Sequence, residues 1–219
     1  MAYIREIFSS IQGEGPLVGY KQLFVRFCNC NLHCAYCDTD FDINKAKEYS
    51  VSELLQVTEQ NKDCHSVSLT GGEPLLEHRF IKEFAKKSFL PIYLETNGTL
   101  TNELEEVIDF VDYIAADIKL SSATGQTINW NKQEAFLKVA STKNTFVKVV
   151  FDSNITDLEI KNITEISKKY ALELILQPMM LGNIPSISSD FMLATLNKCS
   201  KLYNNVRLIP QMHKFINVD

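Results

Sequence analysis

Three cysteines in a short segment are the residues best placed to do chemistry in this sequence. Cys30, Cys34 and Cys37 form a C-x3-C-x2-C run, and thiolates this close in sequence can converge on one centre, where soft sulfur selects zinc, copper or iron–sulfur. A structural zinc site normally has four protein ligands, whereas a cluster held by three cysteines leaves one iron open to a substrate or cofactor. The spacing therefore favours iron–sulfur, and zinc stays open because Cys28 or His33 could supply a fourth ligand.

A glycine turn is the second chemical feature. Gly71-Gly-Glu-Pro74 follows a short apolar run, and glycines without a Cβ let the backbone approach a ligand closely. The carboxylate of Glu73 offers an acceptor to an ammonium group. Such a turn is weak evidence alone and gains weight beside the cysteine run.

The N-terminal segment carries a third set of polar groups. Ile11-Gln-Gly-Glu-Gly15 reads as a loop whose amide and carboxylate suit the donor and acceptor edges of a heterocycle. Arg26 lies within an apolar run, and a guanidinium there suits a carboxylate ligand. The alternative for Arg26 is a strand residue whose head group reaches solvent.

Strands and helices alternate along the chain and must position these groups. Apolar, β-branched or aromatic runs predict strands at Leu23–Phe27, Val67–Leu69, Ile92–Leu94, Tyr113–Ala116, Phe146–Phe151, Leu174–Leu176 and Val206–Ile209. Capping-box patterns at Ser50-Val-Ser-Glu53 and Thr156-Asp-Leu-Glu159 predict helix starts between them. This alternation indicates parallel strands covered by helices. With 219 residues, we expect one domain over residues 1–219, an incomplete α/β barrel of about six parallel units.

Polar residues follow several of these strands, where such folds bind their ligands. Composition excludes other classes of protein: apolar residues make up 45%, the net charge is −5, and no apolar run reaches the length of a membrane span. We therefore expect no nucleic-acid partner and no membrane partner. Without a signal-peptide pattern near Met1, we expect a cytoplasmic protein, whose six cysteines are not paired as disulfides.

The cysteine run, Tyr36 before its last cysteine and the glycine turn together resemble the radical S-adenosylmethionine (SAM) superfamily. That resemblance implies that Cys30, Cys34 and Cys37 hold a 4Fe–4S cluster and that SAM binds its fourth iron.

A closer resemblance spans nearly the whole chain. In order and spacing, the following motifs resemble the 7-carboxy-7-deazaguanine synthase family: Gln12-Gly-Glu-Gly15, Phe24-Val-Arg26, Cys30-Asn-Leu32, Cys37-Asp-Thr39, Gln177-Pro178 and Gln211-x-His213-Lys214. This family resemblance implies conversion of 6-carboxy-5,6,7,8-tetrahydropterin to 7-carboxy-7-deazaguanine with loss of ammonia, by a homodimer with an external electron donor of flavodoxin or ferredoxin type.

The resemblance also implies roles for individual residues. The pterin would contact Ile11, Gln12, Gly13, Glu14, Arg26, Thr70, His213 and the terminal carboxylate of Asp219. SAM would be surrounded by Tyr36, Cys37, Asp38, Gly72, Glu73, Asp117, Ile118, Lys119, Gln177, Pro178, Met179 and Met180. Thr39 would be the protein ligand of a Mg2+ ion that bridges to the substrate. Glu14 and His213 are the candidate catalytic residues for proton transfer.

Two other functions remain as alternatives. A glycyl-radical-enzyme activase would share the cysteine spacing and act on a protein glycine. A non-catalytic zinc or iron–sulfur module would need a fourth protein ligand, which makes Cys28→Ala the discriminating variant.

Overall fold

A single large sheet organises the computed structural model, which describes residues 1–35, 37 and 43–218. Within that part of the chain the sheet has nine strands. Their bounds are β1 Ala2–Ile11, β2 Lys21–Phe27, β3 Lys47–Tyr49, β4 Ser66–Gly71, β5 Ile92–Thr96, β6 Tyr113–Asp117, β7 Asn144–Phe151, β8 Glu173–Pro178 and β11 Val206–Leu208. Across the sheet they lie in the order β11-β8-β7-β6-β5-β4-β2-β1-β3. A separate two-stranded hairpin pairs β9 (Met180–Leu181) with β10 (Ile184–Pro185).

The strand order is that of a barrel that does not close. From β2 to β11, each strand pairs in parallel with the next one in sequence, apart from the small hairpin and the edge strand β3. Each crossover therefore moves one step in the same direction, as in a barrel, instead of reversing as in a doubly wound sheet. Over the described residues, β3 and β11 are the two edges and do not pair. This confirms the predicted incomplete barrel, with seven parallel strands against the expected six or so.

Helices cover the outer face of the sheet. Their bounds are α1 Val51–Glu59, α2 His78–Ala85, α3 Thr101–Val107, α4 Ser121–Thr124, α5 Trp130–Ala140, α6 Asp157–Lys169, α7 Ser189–Leu202 and α8 Met212–Ile216. Both predicted capping boxes are present: Ser50 caps α1 together with Glu53, and Thr156 caps α6 together with Glu159. Each box satisfies backbone N–H groups that the first helical turn leaves without a partner.

Side-chain alternation along the strands separates two apolar layers. Outward residues such as Leu94 and Val147 join the main core beneath the helices. Inward residues form a smaller cluster on the concave face, made of Tyr93, Ala115, Phe146 and Ile175. Because successive side chains point to opposite faces, the residues two positions further along these strands also point inward, just above this cluster. They are Glu95, Asp117, Lys148 and Gln177, and we call them the polar layer.

The strand β1 is the main element that the apolar runs did not predict. It pairs antiparallel with β2, and its register shifts between Ile4 and Glu6. Such an irregularity breaks the period-two pattern by which a half-buried strand is recognised. In the described portion of the chain, none of the helices combines the length and apolar character needed to cross a membrane.

Candidate active site

Two adjoining cavities lie at the carboxyl ends of the parallel strands. The first, of about 410 Å³, contains the cysteine run, and we call it the cysteine cavity. The second, of about 380 Å³, lies against the N-terminal loop, and we call it the loop cavity. Five residues line both cavities: Glu14, Arg26, Thr70, Glu95 and Gln211. The two predicted ligand sites are therefore neighbours that share a wall.

All three cysteines of the run line the cysteine cavity. The segment is fixed by backbone hydrogen bonds: the Ala35 N–H donates to the Thr124 carbonyl at 3.1 Å, and the Cys37 N–H donates to the Cys34 carbonyl at 3.1 Å. Burial raises the pKa of the Cys30 and Cys34 thiols. A nearby cation stabilises a partly buried thiolate, and a metal centre supplies such a charge.

Cys28 differs from these three. It is 1% exposed in the protein core and does not line the cavity, so the cavity holds three cysteines. Among residues whose positions are described, no three acidic, histidine or cysteine side chains stand close enough to hold one metal ion. A four-iron cluster is much larger than one ion, so its thiolates need not approach one another that closely. Three soft donors around one cavity thus fit a 4Fe–4S cluster.

Two buried acceptors in the same cavity have no hydrogen-bond partner. They are Oδ1 of Asp117 and Oε1 of Gln177. Buried polar atoms are seldom left unsatisfied, so a ligand that brings donors fits here. SAM carries such donors in its ammonium group and its ribose hydroxyls, and Met179, Met180 and Leu181 supply an apolar wall.

The glycine turn serves the protein backbone first. A Cβ on Gly72 would lie 2.0 Å from the carbonyl oxygen of Asn29, and a Cβ on Gly71 would lie 2.4 Å from that of Phe27. The Gly72 N–H donates to the Phe27 carbonyl at 3.0 Å. The two glycines therefore let this turn pack directly against the segment that leads into Cys30, while both still line the cavity.

The carboxylate of Glu73 was predicted to accept a hydrogen bond from the ammonium group of a ligand, but it lies outside the cysteine cavity. Its carboxylate is fully buried, does not line the cavity, and accepts hydrogen bonds from the Asn97 N–H at 2.8 Å, the Thr96 hydroxyl at 2.8 Å and the Leu75 N–H at 3.1 Å. It ties the turn after β4 to the end of β5. Burial dominates over these bonds and raises the pKa of Glu73 to about 7.

Glu73→Gln is expected to change the pH dependence of stability. The pKa of Glu73 is 4.5 in the unfolded chain and about 7 in the folded one. The free energy of unfolding of the wild type should therefore fall by up to about 3 kcal/mol as the pH rises from 4.5 to 7. Above pH 7 the free energy of unfolding falls no further on account of Glu73. In the glutamine variant this dependence on pH should be absent. Urea unfolding at pH 5 and pH 7.5 measures the difference. Parallel pH dependence in the two proteins would contradict the buried-acid assignment.

Two further predicted SAM contacts also point away from the cavity. Ile118 is fully buried in the main core because its position in the chain alternates with that of inward Asp117. Pro178 ends β8 outside the cavity lining. The remaining described candidates do line it: Cys37, Gly72, Asp117, Lys119, Gln177, Met179 and Met180.

The predicted pterin residues gather at the loop cavity. Ile11, Gln12, Gly13, Glu14, Arg26, Thr70 and His213 all line it. The amide nitrogen of Gln12 is engaged, since it donates to Gln22 at 2.9 Å and to Glu95 at 3.0 Å, and its oxygen accepts from the Glu14 N–H at 2.9 Å. Gln12 therefore holds the loop in shape.

Arg26 faces the loop cavity from β2. Its Nε donates to Glu6 at 2.6 Å, and its guanidinium lies 5.8 Å from the centroid of the Phe8 ring. An aromatic face and one carboxylate orient the group, and Arg26 lines the cavity. This arrangement suits a carboxylate ligand.

A chain of charged groups crosses the wall between the cavities. Glu14 is ion-paired with Lys148 and accepts from the Gln211 amide at 2.6 Å, and Lys148 also lies 3.0 Å from Asp117 Oδ2. Burial would raise the pKa of Glu14, but Lys148 and Gln211 outweigh it and lower that pKa to about 2. Glu14 is thus an anion at neutral pH.

His213 lies on α8 beside the N-terminal loop. Burial lowers the pKa of its imidazole, against the opposing charge of Glu14, so the ring is neutral at pH 7. A Cβ on Gly13 would lie 2.1 Å from Nδ1 of His213, so Gly13 makes room for this ring.

Gly13→Ala should therefore displace His213 and raise the KM for the substrate of the loop cavity by about tenfold, since the added methyl overlaps the ring. A double-mutant cycle checks the cause: in a His213→Ala background the same methyl should have little further effect. Additive losses would show that Gly13 acts through something other than His213.

Four predicted site residues lie outside the described residues: Tyr36, Asp38, Thr39 and Asp219. Conversely, Lys148 lines the site without having been predicted. Glu95 and Gln211 also line it, and the sequence indicated them only as polar residues that follow strands, with no ligand assigned. Glu95 accepts from the Thr70 hydroxyl at 3.1 Å. The available signal was one polar residue two places after an inward aromatic in an apolar strand, as in Tyr93-x-Glu95 and Phe146-x-Lys148.

Comparison with known proteins agrees with this geometry. Residues 24–150 match the model of the Radical SAM superfamily. The chain is 36% identical to 7-carboxy-7-deazaguanine synthase of Geobacter sulfurreducens, over 98% of this chain and 97% of the relative. It is 35% identical to the enzyme of the same name from Archaeoglobus fulgidus, over 99% of each.

The fold likewise resembles a solved structure. The crystal structure of QueE from Escherichia coli aligns with a TM-score of 0.67 and 22% identity, covering 97% of this chain and 94% of that one. The incomplete barrel, the three-cysteine cavity and the full-length relatives agree. This chain belongs to the radical SAM superfamily and, within it, to the 7-carboxy-7-deazaguanine synthase family.

Proposed function

We propose that this protein converts 6-carboxy-5,6,7,8-tetrahydropterin to 7-carboxy-7-deazaguanine with release of ammonia, as a precursor step in queuosine biosynthesis. The observation that carries the proposal is the pair of adjoining cavities, one lined by three cysteines and the other by Gln12, Glu14, Arg26 and His213. A heterocycle with a carboxylate matches the second set in size and polarity.

Membership of the radical SAM superfamily implies a 4Fe–4S cluster and SAM. Cys30, Cys34 and Cys37 would hold the cluster, and the unpartnered oxygens of Asp117 and Gln177 would accept from SAM. When bound and reduced, this pair supplies radical chemistry that begins with hydrogen abstraction from the substrate. The chain's own contribution is to hold the two ligands in adjoining cavities and to keep water out.

The roles of Glu14 and His213 separate in this proposal. A carboxylate with a pKa of about 2 is a poor proton carrier at neutral pH, so Glu14 acts as a fixed anion that accepts from N–H groups of the pterin ring. His213, neutral at pH 7, can take or give a proton at a ring nitrogen. Arg26 pairs with the pterin carboxylate, and Thr70 and Glu95 complete the wall.

A Mg2+ ion belongs to the same proposal. Thr39 is its candidate protein ligand by family resemblance, with water and substrate oxygens as the remaining ligands. Product formation should then fall when Mg2+ is omitted and return when it is added. Equal turnover in the presence of excess chelator for divalent cations would remove Mg2+ from the proposal.

The wider organisation is also proposed. We expect residues 1–219 to act as a single domain, a proposal supported by one sheet that runs from Ala2 to Leu208. A homodimer, a cytoplasmic site of action and a flavodoxin- or ferredoxin-type donor follow from the family resemblance. Molar mass by light scattering tests the dimer, and reduction by each donor protein tests the donor.

The deciding experiment is anaerobic. Iron and sulfide are reconstituted, the protein is reduced, SAM, Mg2+ and the pterin are added, and 7-carboxy-7-deazaguanine is followed by mass. If SAM is cleaved to 5′-deoxyadenosine but no deazaguanine forms, the proposed pterin substrate is wrong. SAM cleavage that ignores the pterin and responds to a protein substrate would favour the activase alternative.

A further inference from the structure

Lys148 is a buried cation with carboxylates on two sides. Its side chain is 6% exposed, and its place on β7 is paired in register with Asp117 on β6. Nζ is ion-paired with Oε2 of Glu14 and lies 3.0 Å from Oδ2 of Asp117. One ammonium group therefore joins the N-terminal loop to the polar layer of the sheet.

Each of the two carboxylates also accepts a hydrogen bond from a second side chain. The second oxygen of Glu14 accepts from Gln211 at 2.6 Å, and Lys119 also donates to Oδ2 of Asp117 at 2.9 Å. With both lysines on Oδ2, Oδ1 of Asp117 is the oxygen left without a partner. Lys148 thus helps to hold the Asp117 carboxylate with Oδ2 paired and Oδ1 left without a partner.

The two carboxylates serve different cavities. Asp117 lines the cysteine cavity, whereas Glu14 lines both cavities and its loop forms the wall of the second. A cation held between them couples the geometry of both. Removing it would leave two buried carboxylates without the cation between them, with Asp117 still paired with Lys119 and Glu14 still bonded to Gln211. Glu95 is a third acid nearby, and its charge also acts on Lys148.

We propose that Lys148 is a positioning residue that sets Glu14 for the pterin and Asp117 for SAM together, so that one side chain controls the affinity of both ligands. This inference rests on the proposed function. A role in stability alone would lower the amount of folded protein and leave the affinity of the folded molecules unchanged.

Calorimetry on the reconstituted full chain tests this. SAM and the pterin are titrated separately into wild type, Lys148→Met, Lys148→Arg and the control Lys138→Met, which makes the same chemical change at an exposed position of α5. We expect Lys148→Met to raise both dissociation constants by about tenfold or more. Lys148→Arg keeps the charge and should recover most of the loss, and Lys138→Met should match wild type.

Single-site variants of the two carboxylates separate the effect on pterin affinity from the effect on SAM affinity. Glu14→Gln should weaken the pterin and spare SAM, and Asp117→Asn should do the reverse. Should Lys148→Met fail to fold, Lys148→Met with Glu14→Gln removes one charge of each sign, and SAM affinity is then compared with that of Glu14→Gln alone. No further loss of SAM affinity on adding Lys148→Met would overturn the proposal, as would a folded Lys148→Met that binds either ligand normally.

The outcome is distinguishable from failure of the proposed function. A wild type that binds SAM but not the pterin would refute the substrate. In that case the comparison of SAM affinity across the Lys148 variants still decides whether Lys148 positions Asp117.

Discussion

Cys34→Ala is expected to abolish cluster loading and product formation. The thiol lines the cavity together with those of Cys30 and Cys37, and a three-cysteine cluster has no spare protein ligand. The loss should exceed the ~10–100-fold change that follows removal of a residue that only supports a metal ligand. Iron and sulfide per chain, 5′-deoxyadenosine and deazaguanine are measured in the same preparation.

Cys28→Ala is the matched control for this experiment. Cys28 is also a cysteine of the same segment, but it is buried in the core outside the cavity, so its variant should keep its iron and its activity. Cys64→Ala, at a second buried position, calibrates the effect of losing a packed sulfur. Loss of metal from a folded Cys28→Ala protein would instead favour the four-ligand module.

Glu14→Gln is expected to lower kcat/KM for the pterin by about 10²–10³. The change keeps the side chain's shape and removes the charge that faces Lys148, and breaking a buried ion pair on one side typically costs about 3–5 kcal/mol. The amide nitrogen would also face a donor, either Lys148 or Gln211. Steady-state kinetics with saturating SAM measures the effect.

The same variant has a signature in acid. The pKa of Glu14 is about 2 in the folded protein, against an ordinary glutamate value of 4.5. Its contribution to stability is therefore fully present above pH 4.5 and is lost as the pH falls toward 2. The stability difference between wild type and Glu14→Gln should therefore shrink from pH 6 to pH 3. A difference that stays constant over this range would argue against a charged Glu14 in the folded protein.

The fold was predictable where local pattern and tertiary environment agree. Strand β7 is apolar on its outward face, so its run was recognised from the sequence, and the spacing of the cysteines indicated their common cavity. Strand β1 was not recognised from the sequence, because its irregular register disrupts the alternation of apolar and polar residues. Lys148 was not predicted because it is one charged residue within an apolar run. Its role depends on contacts with Glu14 and Asp117, which are distant in sequence.

Glu73 illustrates a different limit. Its sequence context suggests a ligand group, yet its acceptors are used by Thr96 and Asn97 from the next strand. Whether a carboxylate faces a cavity or ties two loops together depends on side-chain direction at the strand end. That direction is set by contacts between residues distant in sequence, which spacing alone does not contain.

The hydrogen bond between Glu14 and Gln211 joins residues 197 positions apart. Closing a loop of that length in an unfolded chain carries an entropic cost that local contacts do not share. On the ribosome, the wall between the cavities cannot be completed until residue 211 has emerged. A nascent chain that ends before this residue therefore lacks the amide that holds Glu14, and both cavities lack one residue of their shared wall.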